Sequence, residues 1–207
     1  PPARSNVPRN AVAPLNYIDW RQQAQSFEQL AAYSTIDSTD LAGSGAPERL
    51  DVPRVTPDLL PLLRVEPLVG RWFVSPEGAP GQPGAVILGY GLWQRRFGGD
   101  PAVMGRTITL NGEPHEIVGV MPRGFQCPRE GVDAWIPIDY RAGSGRQTRR
   151  TFFLSVIGRL KAGVAVAQAD TEIRTIAERL GRSHPENAGS SALPVPLQQD
   201  LVRDSRT

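Results

Sequence analysis

Residues 84–125 form the part of the sequence whose local pattern most restricts the fold. The apolar run 85–88 lies between glycines and predicts a short buried strand. Residues 90–97 predict a short helix, because its tryptophan and phenylalanine are four positions apart and therefore share one face. Gly98 ends this helix, since glycine adopts the left-handed cap conformation without a steric penalty. A buried strand is thus predicted to lead directly into a helix.

A hairpin is predicted to follow this helix. The strands are 106–110 and 113–120, and the Asn-Gly pair at 111–112 forms a two-residue turn because both residues tolerate positive φ. Pairing about this turn sets Pro114 opposite Thr109, where the missing N–H would point away from the partner strand. The second strand is therefore expected to be an edge at Pro114.

The flanking segments predict a mixture of helices and strands. Residues 16–33 show a helical apolar pattern, with Ser26 and Gln29 spaced as a capping box. Residues 151–160 are apolar on both faces and predict a central strand, and 165–180 predict an amphipathic helix that ends at a glycine. Further predictions are an extended lead-in at 1–14, strands at 34–42, 48–55 and 134–138, a short helix capped by Thr56, loops at 75–84 and 140–150, and a last extended segment at 193–201.

Composition excludes several classes of protein. The 207 residues allow one large domain or two small ones. With 23 basic and 21 acidic residues, the net charge is +2 and no basic stripe indicates nucleic-acid binding. Cys127 is the single cysteine, which rules out an internal disulfide or a cysteine metal cluster. No apolar run approaches the ~20 residues that span a bilayer, and no signal peptide is present, so we interpret the sequence as a soluble fragment of a larger protein.

Motifs for catalysis, cofactors or metals are weak. The Gly-Tyr-Gly-Leu-Trp-Gln string at 89–94 follows a strand and opens a helix, but Gln94 stands where a dinucleotide fingerprint needs a small residue. His115 and His184 match no zinc spacing. We therefore predict no catalytic, cofactor-binding or metal-binding residues, and no cofactor.

Five residues are candidates for a groove or an interface. The tryptophans Trp72, Trp93 and Trp135 could line a hydrophobic groove, and Arg95 with Arg96 could bind an anion. Core packing is the alternative for the tryptophans, and an ordinary surface pair is the alternative for the arginines.

An ordered set of motifs resembles the extracytoplasmic core domain of MacB/FtsX-like ABC transporter permeases, in the branch common in acidobacteria. Each motif is short, and the specificity lies in their order along the chain. The motifs are SFEQLAAY at 26–33, PLVGRWF at 67–73, the stretch 88–101, GRT at 105–107, LNGE at 110–113, and IVGVMP with GF at 117–125.

This resemblance implies an α+β fold in two parts. Residues 1–67 and 148–207 would form a porter-like α+β subdomain from both ends of the chain. Residues 68–147 would form an inserted, mainly β subdomain like the one called Sabre in the MacB relatives. The α+β expectation agrees with the mixture of helices and strands predicted above.

The resemblance also implies a function and a location. It predicts a non-catalytic domain on the periplasmic side of the bacterial inner membrane, which transmits ATP-driven motion of membrane helices to a periplasmic substrate or partner, for efflux, lipoprotein transport or another envelope process. The expected partners are transmembrane helices of the same polypeptide, a cytoplasmic ATPase domain or subunit, a periplasmic adaptor or substrate protein, and a second copy in a homodimer. The alternative is a secreted or periplasmic ligand-binding module for carbohydrate or peptide, and a hydrolase is a third hypothesis.

Overall fold

A computed structural model describes residues 11–34, 38–43, 46–74, 83–138, 148–187 and 195–197. The predicted lead-in, the loops at 75–84 and 140–150, and the last extended segment lie wholly or mostly outside the described residues. Within the described residues, helices and strands occur together, and the predicted α+β fold class is confirmed.

Four α-helices and ten strands occur among the described residues. The helices are α1 (Pro14–Gln23), α2 (Leu59–Leu63), α3 (Tyr90–Phe97) and α4 (Val166–Ser183), with 3₁₀ turns at Pro101–Val103 and Pro185–Asn187. The strands are β1 (Phe27–Ser34), β2 (Ser38–Ala42), β3 (Glu48–Asp51), β4 (Arg54–Val55), β5 (Val69–Gly70), β6 (Gly84–Leu88), β7 (Thr107–Leu110), β8 (Glu113–Val120), β9 (Ala134–Pro137) and β10 (Leu154–Leu160).

The chain divides into two compact units. Unit 1 consists of residues 1–32 and 140–207, and unit 2 consists of residues 33–139. In this division, residues 33–67, which the resemblance assigns to the part built from both ends of the chain, lie in unit 2. The reason is strand pairing, because β2 and β3 lie in one sheet with the central hairpin.

Unit 2 is built on a mixed sheet in the order β4-β9-β6-β8-β7-β2-β3, with β5 also paired to β8. The β6–β8 and β4–β9 pairs are parallel, and the other pairs are antiparallel. Strand β6 lies between β9 and β8, which explains why its sequence is a continuous apolar run that is buried from Ala85 to Leu88. Helix α3 follows it directly and contributes Leu92 and Trp93 to the core.

The predicted hairpin is confirmed in its turn and its register. Asn111 and Gly112 both have positive φ, at 49° and 82°, and Thr109 lies opposite Pro114. Strand β8 lies between β7 and β6, but its pairing with β6 starts at His115, one residue after the proline. The missing N–H of Pro114 therefore interrupts no ladder between the described strands.

The predicted helix at 16–33 is wrong in its second half. Helix α1 ends at Gln23, and residues 27–34 form the strand β1. Three consecutive residues, Leu30, Ala31 and Ala32, are buried, so both faces of this strand are covered. Because β1 lies beside β10, tertiary pairing overrides the helical preference of its alanine, leucine and glutamate residues.

The carboxyl-terminal half of unit 1 differs from the prediction in two details. Among the described strands, β10 ends the order of paired strands instead of being central, and Val12 forms an isolated bridge to its Leu154. Helix α4 continues past the predicted end at Gly181 to Ser183. His184, which has an extended backbone conformation, is its C-cap. The predicted apolar stripe of α4 is confirmed for Ala169, Ile173, Ile176 and Leu180, which are all buried.

Glu172 on α4 holds the connection between α1 and β1. Its Oε1 accepts the N–H of Gln25 at 2.7 Å, and its Oε2 accepts the N–H of Ser26 at 2.9 Å. Burial alone would raise the pKa of Glu172, but these two donors and nearby Lys161 outweigh burial and lower that pKa. Because the folded pKa is lowered, the carboxylate contributes stability above its ordinary pKa of 4.5, and the contribution is lost as the pH falls through the folded pKa.

We expect Glu172→Gln to lower the free energy of unfolding of unit 1 by about 1–3 kcal/mol at neutral pH, because the bonds it weakens involve a charged acceptor. Urea denaturation followed by far-UV circular dichroism would measure the loss. Glu178→Gln is the matched control on the same helix, since Glu178 is 71% exposed and its pair with Arg182 is worth at most about 0.5 kcal/mol. Equal losses in the two variants, or a Glu172→Gln loss that does not shrink in acid, would contradict this role.

Candidate functional site

The three candidate tryptophans all donate their indole N–H to a backbone carbonyl. Trp93 and Trp135 are buried, with Nε1 2.7 Å from the Cys127 oxygen in Trp135 and 3.0 Å from the Asp100 oxygen in Trp93. Trp72 is half-buried, and its Nε1 donates to the Val65 oxygen at 3.0 Å. Two of the three side chains are thus core residues of unit 2, and only Trp72 retains a partly exposed face.

Arg95 and Arg96 are held by groups of their own unit. Arg95 pairs with Glu48 and with Asp133, each at 2.7 Å, and Arg96 donates to the Ala46 oxygen at 3.1 Å. These contacts join α3 to β3 and to the segment before β9. An anion at this position would have to compete with two carboxylates that already lie on Arg95.

The glycine-rich start of α3 makes structural contacts. The N–H of Gly89 donates to the Asp133 oxygen at 2.7 Å, and the Gly89 oxygen accepts the N–H of Trp93 at 3.0 Å. The N–H of Gly89 thus holds the start of α3 against the segment before β9.

The two histidines do not form a metal site in the part of the chain that the structure describes. His115 is buried on β8, and its Nδ1 lies 3.0 Å from the Glu113 oxygen. Burial lowers the pKa of His115 more than neighbouring Glu113 raises it, so the ring is neutral at neutral pH. His184 lies just after α4, in the other unit. No group of three or more His, Cys, Asp or Glu side chains lies together among the described residues.

Cys127 is buried in unit 2, where its backbone oxygen accepts the Trp135 indole N–H, and burial raises the pKa of its thiol to about 11. We expect the native protein to react with a thiol reagent at about pH 8 at least ~100-fold more slowly than the urea-unfolded protein, because the thiolate is both scarce and covered. The absorbance of the released thiol probe would measure the two rates. Comparable rates in native and unfolded protein would show that Cys127 is accessible.

A buried polar cluster in unit 1 escaped the sequence analysis. Asn16 and Asn187 exchange two amide hydrogen bonds of 3.0 and 2.9 Å, although they are 171 positions apart. Arg149 donates to the Asn16 oxygen at 2.8 Å and pairs with Asp19 at 2.7 Å. We call these four residues the Asn16 cluster. No local pattern marks it, because each member looks in sequence like an ordinary polar residue of a helix or loop.

A small cavity adjoins the Asn16 cluster. Its volume of about 40 Å³ suits two or three water molecules and is far below the ~300 Å³ of small-ligand pockets. The described residues that line it are Ala11, Val12, Asn16, Trp20, Phe152, Ala177, Leu180 and Asn187.

Comparison with known families decides what kind of domain these units form. The sequence model of the MacB-like periplasmic core domain matches residues 2–176. The chain belongs to the MacB-like periplasmic core domain family. No curated protein sequence matches it.

Solved structures of the same kind share its fold. The extracellular domain of the noncanonic ABC-type transporter YknZ from Gram-positive bacteria is 15% identical, with a TM-score of 0.63 over 86% of this chain and 87% of that chain. The periplasmic region of MacB from Actinobacillus actinomycetemcomitans is 13% identical, with a TM-score of 0.65 over 96% and 84%. A domain of a permease protein from Porphyromonas gingivalis, itself described as putative, is 16% identical, with a TM-score of 0.64 over 93% and 90%.

Family membership fixes the setting of this MacB-like domain. It is the periplasmic domain of an ABC transporter permease, as the sequence resemblance predicted. None of the described helices is long and apolar enough to cross a membrane.

Proposed function

We propose that this MacB-like domain is a non-catalytic transmitter, which passes ATP-driven movement of membrane helices to a periplasmic substrate or partner. The observation that carries the proposal is the division into two compact units, of which unit 1 contains both ends of the chain. The chain crosses between the units at 32/33 and again at 139/140. Compact bodies joined by a few chain crossings are the usual basis of hinge and shear motions.

A transmitter of this kind needs partners on both sides of the membrane. Transmembrane helices of the same polypeptide would connect to unit 1, and a cytoplasmic ATPase domain or subunit would drive them. A periplasmic adaptor or substrate protein would receive the movement, and the full-length transporter would be a homodimer. Efflux, lipoprotein transport and envelope maintenance are the processes that fit such a transmitter.

The contacts of the described residues favour transmission over ligand binding or hydrolysis. A carbohydrate or peptide platform would need exposed aromatic faces, whereas Trp93 and Trp135 are buried. The cavity beside the Asn16 cluster has room for water only. The single cysteine is buried, and burial raises the pKa of its thiol to about 11, which does not suit a nucleophile.

A cross-linking experiment on the parent protein tests the proposal. Cysteines at exposed Glu116 in unit 2 and exposed Glu178 in unit 1 would be joined by bifunctional reagents of increasing length. We expect the cross-link to abolish the transporter-dependent phenotype in a strain that lacks the wild-type gene, while ATP hydrolysis continues.

The matched control joins two cysteines within one unit. Glu116 and Ala46 are both exposed and both belong to unit 2, so their cross-link should leave function intact. Buried Cys127 can stay in place in both variants. Full function with the two units completely cross-linked would overturn the proposed transmission.

A further inference from the structure

Three segments that are far apart in sequence meet at the Asn16 cluster. Asn16 lies on α1, Arg149 precedes β10 in the segment by which the chain re-enters unit 1, and Asn187 ends the 3₁₀ turn after α4. Asn16 and Asn187 are only 6% and 2% exposed. The Asn16 oxygen accepts from both Asn187 and Arg149, so both of its lone pairs are used.

Polar groups in such a cluster determine which segments pack together more than they raise the free energy of unfolding. A satisfied buried hydrogen bond contributes little net stability, and an apolar pair of the same shape would stabilise unit 1 about equally well. Removing one partner is different, because it leaves the other polar group buried and unpaired. Asn16 therefore loses a hydrogen-bond partner whenever Asn187 or Arg149 moves away, which couples the positions of the three segments.

Main-chain contacts connect the same segments. The N–H of Leu15 donates to the Thr148 oxygen at 3.3 Å, and Val12 and Leu154 exchange hydrogen bonds of 2.6 and 3.1 Å. These bonds run from α1 and its lead-in to the re-entering segment, next to the Arg149–Asn16 contact. The side-chain cluster extends this pairing to the segment that follows α4.

We propose that the Asn16 cluster is a clamp that makes α1, the re-entering segment before β10 and the 3₁₀ turn after α4 open and close as one body. Asn16 is bonded to both Asn187 and Arg149, so loss of either partner would speed the opening of all three segments. Within the proposed function, the clamp would make movement at the two ends of the chain reach the re-entering segment together. The clamp itself is a property of unit 1 and is testable whether or not the domain transmits movement.

Amide hydrogen exchange by NMR on the isolated chain tests the clamp. Asn187→Ala removes both amide hydrogen bonds from the 3₁₀ turn. We expect exchange to become at least about tenfold faster at the amides of Leu15, Tyr17 and Leu154, none of which belongs to the altered segment. The amides of β6 and β8 in unit 2 should be unchanged.

Ile173→Val is the matched control. Ile173 is a buried residue of α4 outside the cluster, and this substitution lowers the stability of the same unit without touching any member. The two variants are compared at equal loss of unit 1 stability, adjusted with urea. Selective acceleration in Asn187→Ala supports the clamp, and equal acceleration in both variants overturns it.

Arg149→Met is a second test of the clamp, to be used if Asn187→Ala does not fold. The Arg149 side chain is 13% exposed, and methionine keeps its apolar stem while removing the charged group. The expected result is faster exchange at Tyr17 and at Asn187, on both other segments. Faster exchange in the re-entering segment alone would show that the three segments are not coupled.

Discussion

Replacing Trp135 by alanine is expected to lower the free energy of unfolding of unit 2 by about 3–5 kcal/mol, the usual cost of removing a buried tryptophan side chain. Trp135 is fully buried on β9, and its ring centroid lies 5.3 Å from that of Phe125. Its indole N–H donates to the Cys127 oxygen at 2.7 Å, so the substitution leaves both a cavity and an unpaired buried carbonyl. Urea denaturation followed by the fluorescence of the remaining tryptophans would measure the loss.

Trp72→Ala is the matched control for this prediction. Trp72 has the same kind of indole-to-carbonyl hydrogen bond, to Val65, but its ring is only half-buried. We expect a loss of about 1–2 kcal/mol, since less apolar surface returns to water. If Trp135→Ala costs no more than Trp72→Ala, Trp135 is not a core residue and the groove hypothesis regains support.

The central stretch could be predicted because its structure depends on neighbours in sequence. Helix α3 has the predicted bounds, Gly98 has the left-handed conformation at φ 63°, and the turn at Asn111 sets the register of β7 and β8. Each of these features follows from which residues tolerate positive φ and from apolar spacing over a few positions. No contact with a distant part of the chain is needed to decide between helix, strand and turn in this stretch.

Strand β1 could not be predicted because its structure depends on distant partners. Its sequence, FEQLAAYS, favours a helix by composition, and pairing with the neighbouring strands β10 and β4 makes the extended form better. The connection before it is also fixed from far away, since Glu172 binds the N–H groups of Gln25 and Ser26 across 147 and 146 positions. A single sequence carries no signal for such pairings.

The roles of the candidate site residues also depend on distant contacts and could not be predicted from the sequence. Trp93 and Trp135 occur in apolar surroundings that suit a groove or a core equally well, and only the packed structure shows that both are buried. The Asn16 cluster joins residues up to 171 positions apart, and none of its members stands in a recognisable motif. The family resemblance predicted the periplasmic location, whereas the roles of individual residues became clear only from their burial and hydrogen bonds in the structure.

Gly70→Ala is expected to destabilise unit 2 by about 2–5 kcal/mol, because two costs add at this position. Gly70 has φ 83°, which strains any residue with a Cβ, and β5 lies close against β8. An added Cβ would lie 2.8 Å from Gly119 Cα and 2.9 Å from Met104 Sδ, and closer still to the Val118 oxygen. We expect β5 to lose its pairing, which faster exchange at the Leu68 and Arg71 amides would reveal, since these donate to the Val120 and Val118 oxygens.

Gly112→Ala separates the two costs. Gly112 has nearly the same φ, 82°, but no atom lies within 4 Å of the added Cβ. This variant should therefore show the strain alone, about 1–2 kcal/mol, with β5 still protected from exchange. The difference between the two variants measures how tightly β5 is packed against β8. Equal destabilisation would mean that β5 can move away from β8 at no cost, and that the strand is not part of the fixed sheet of unit 2.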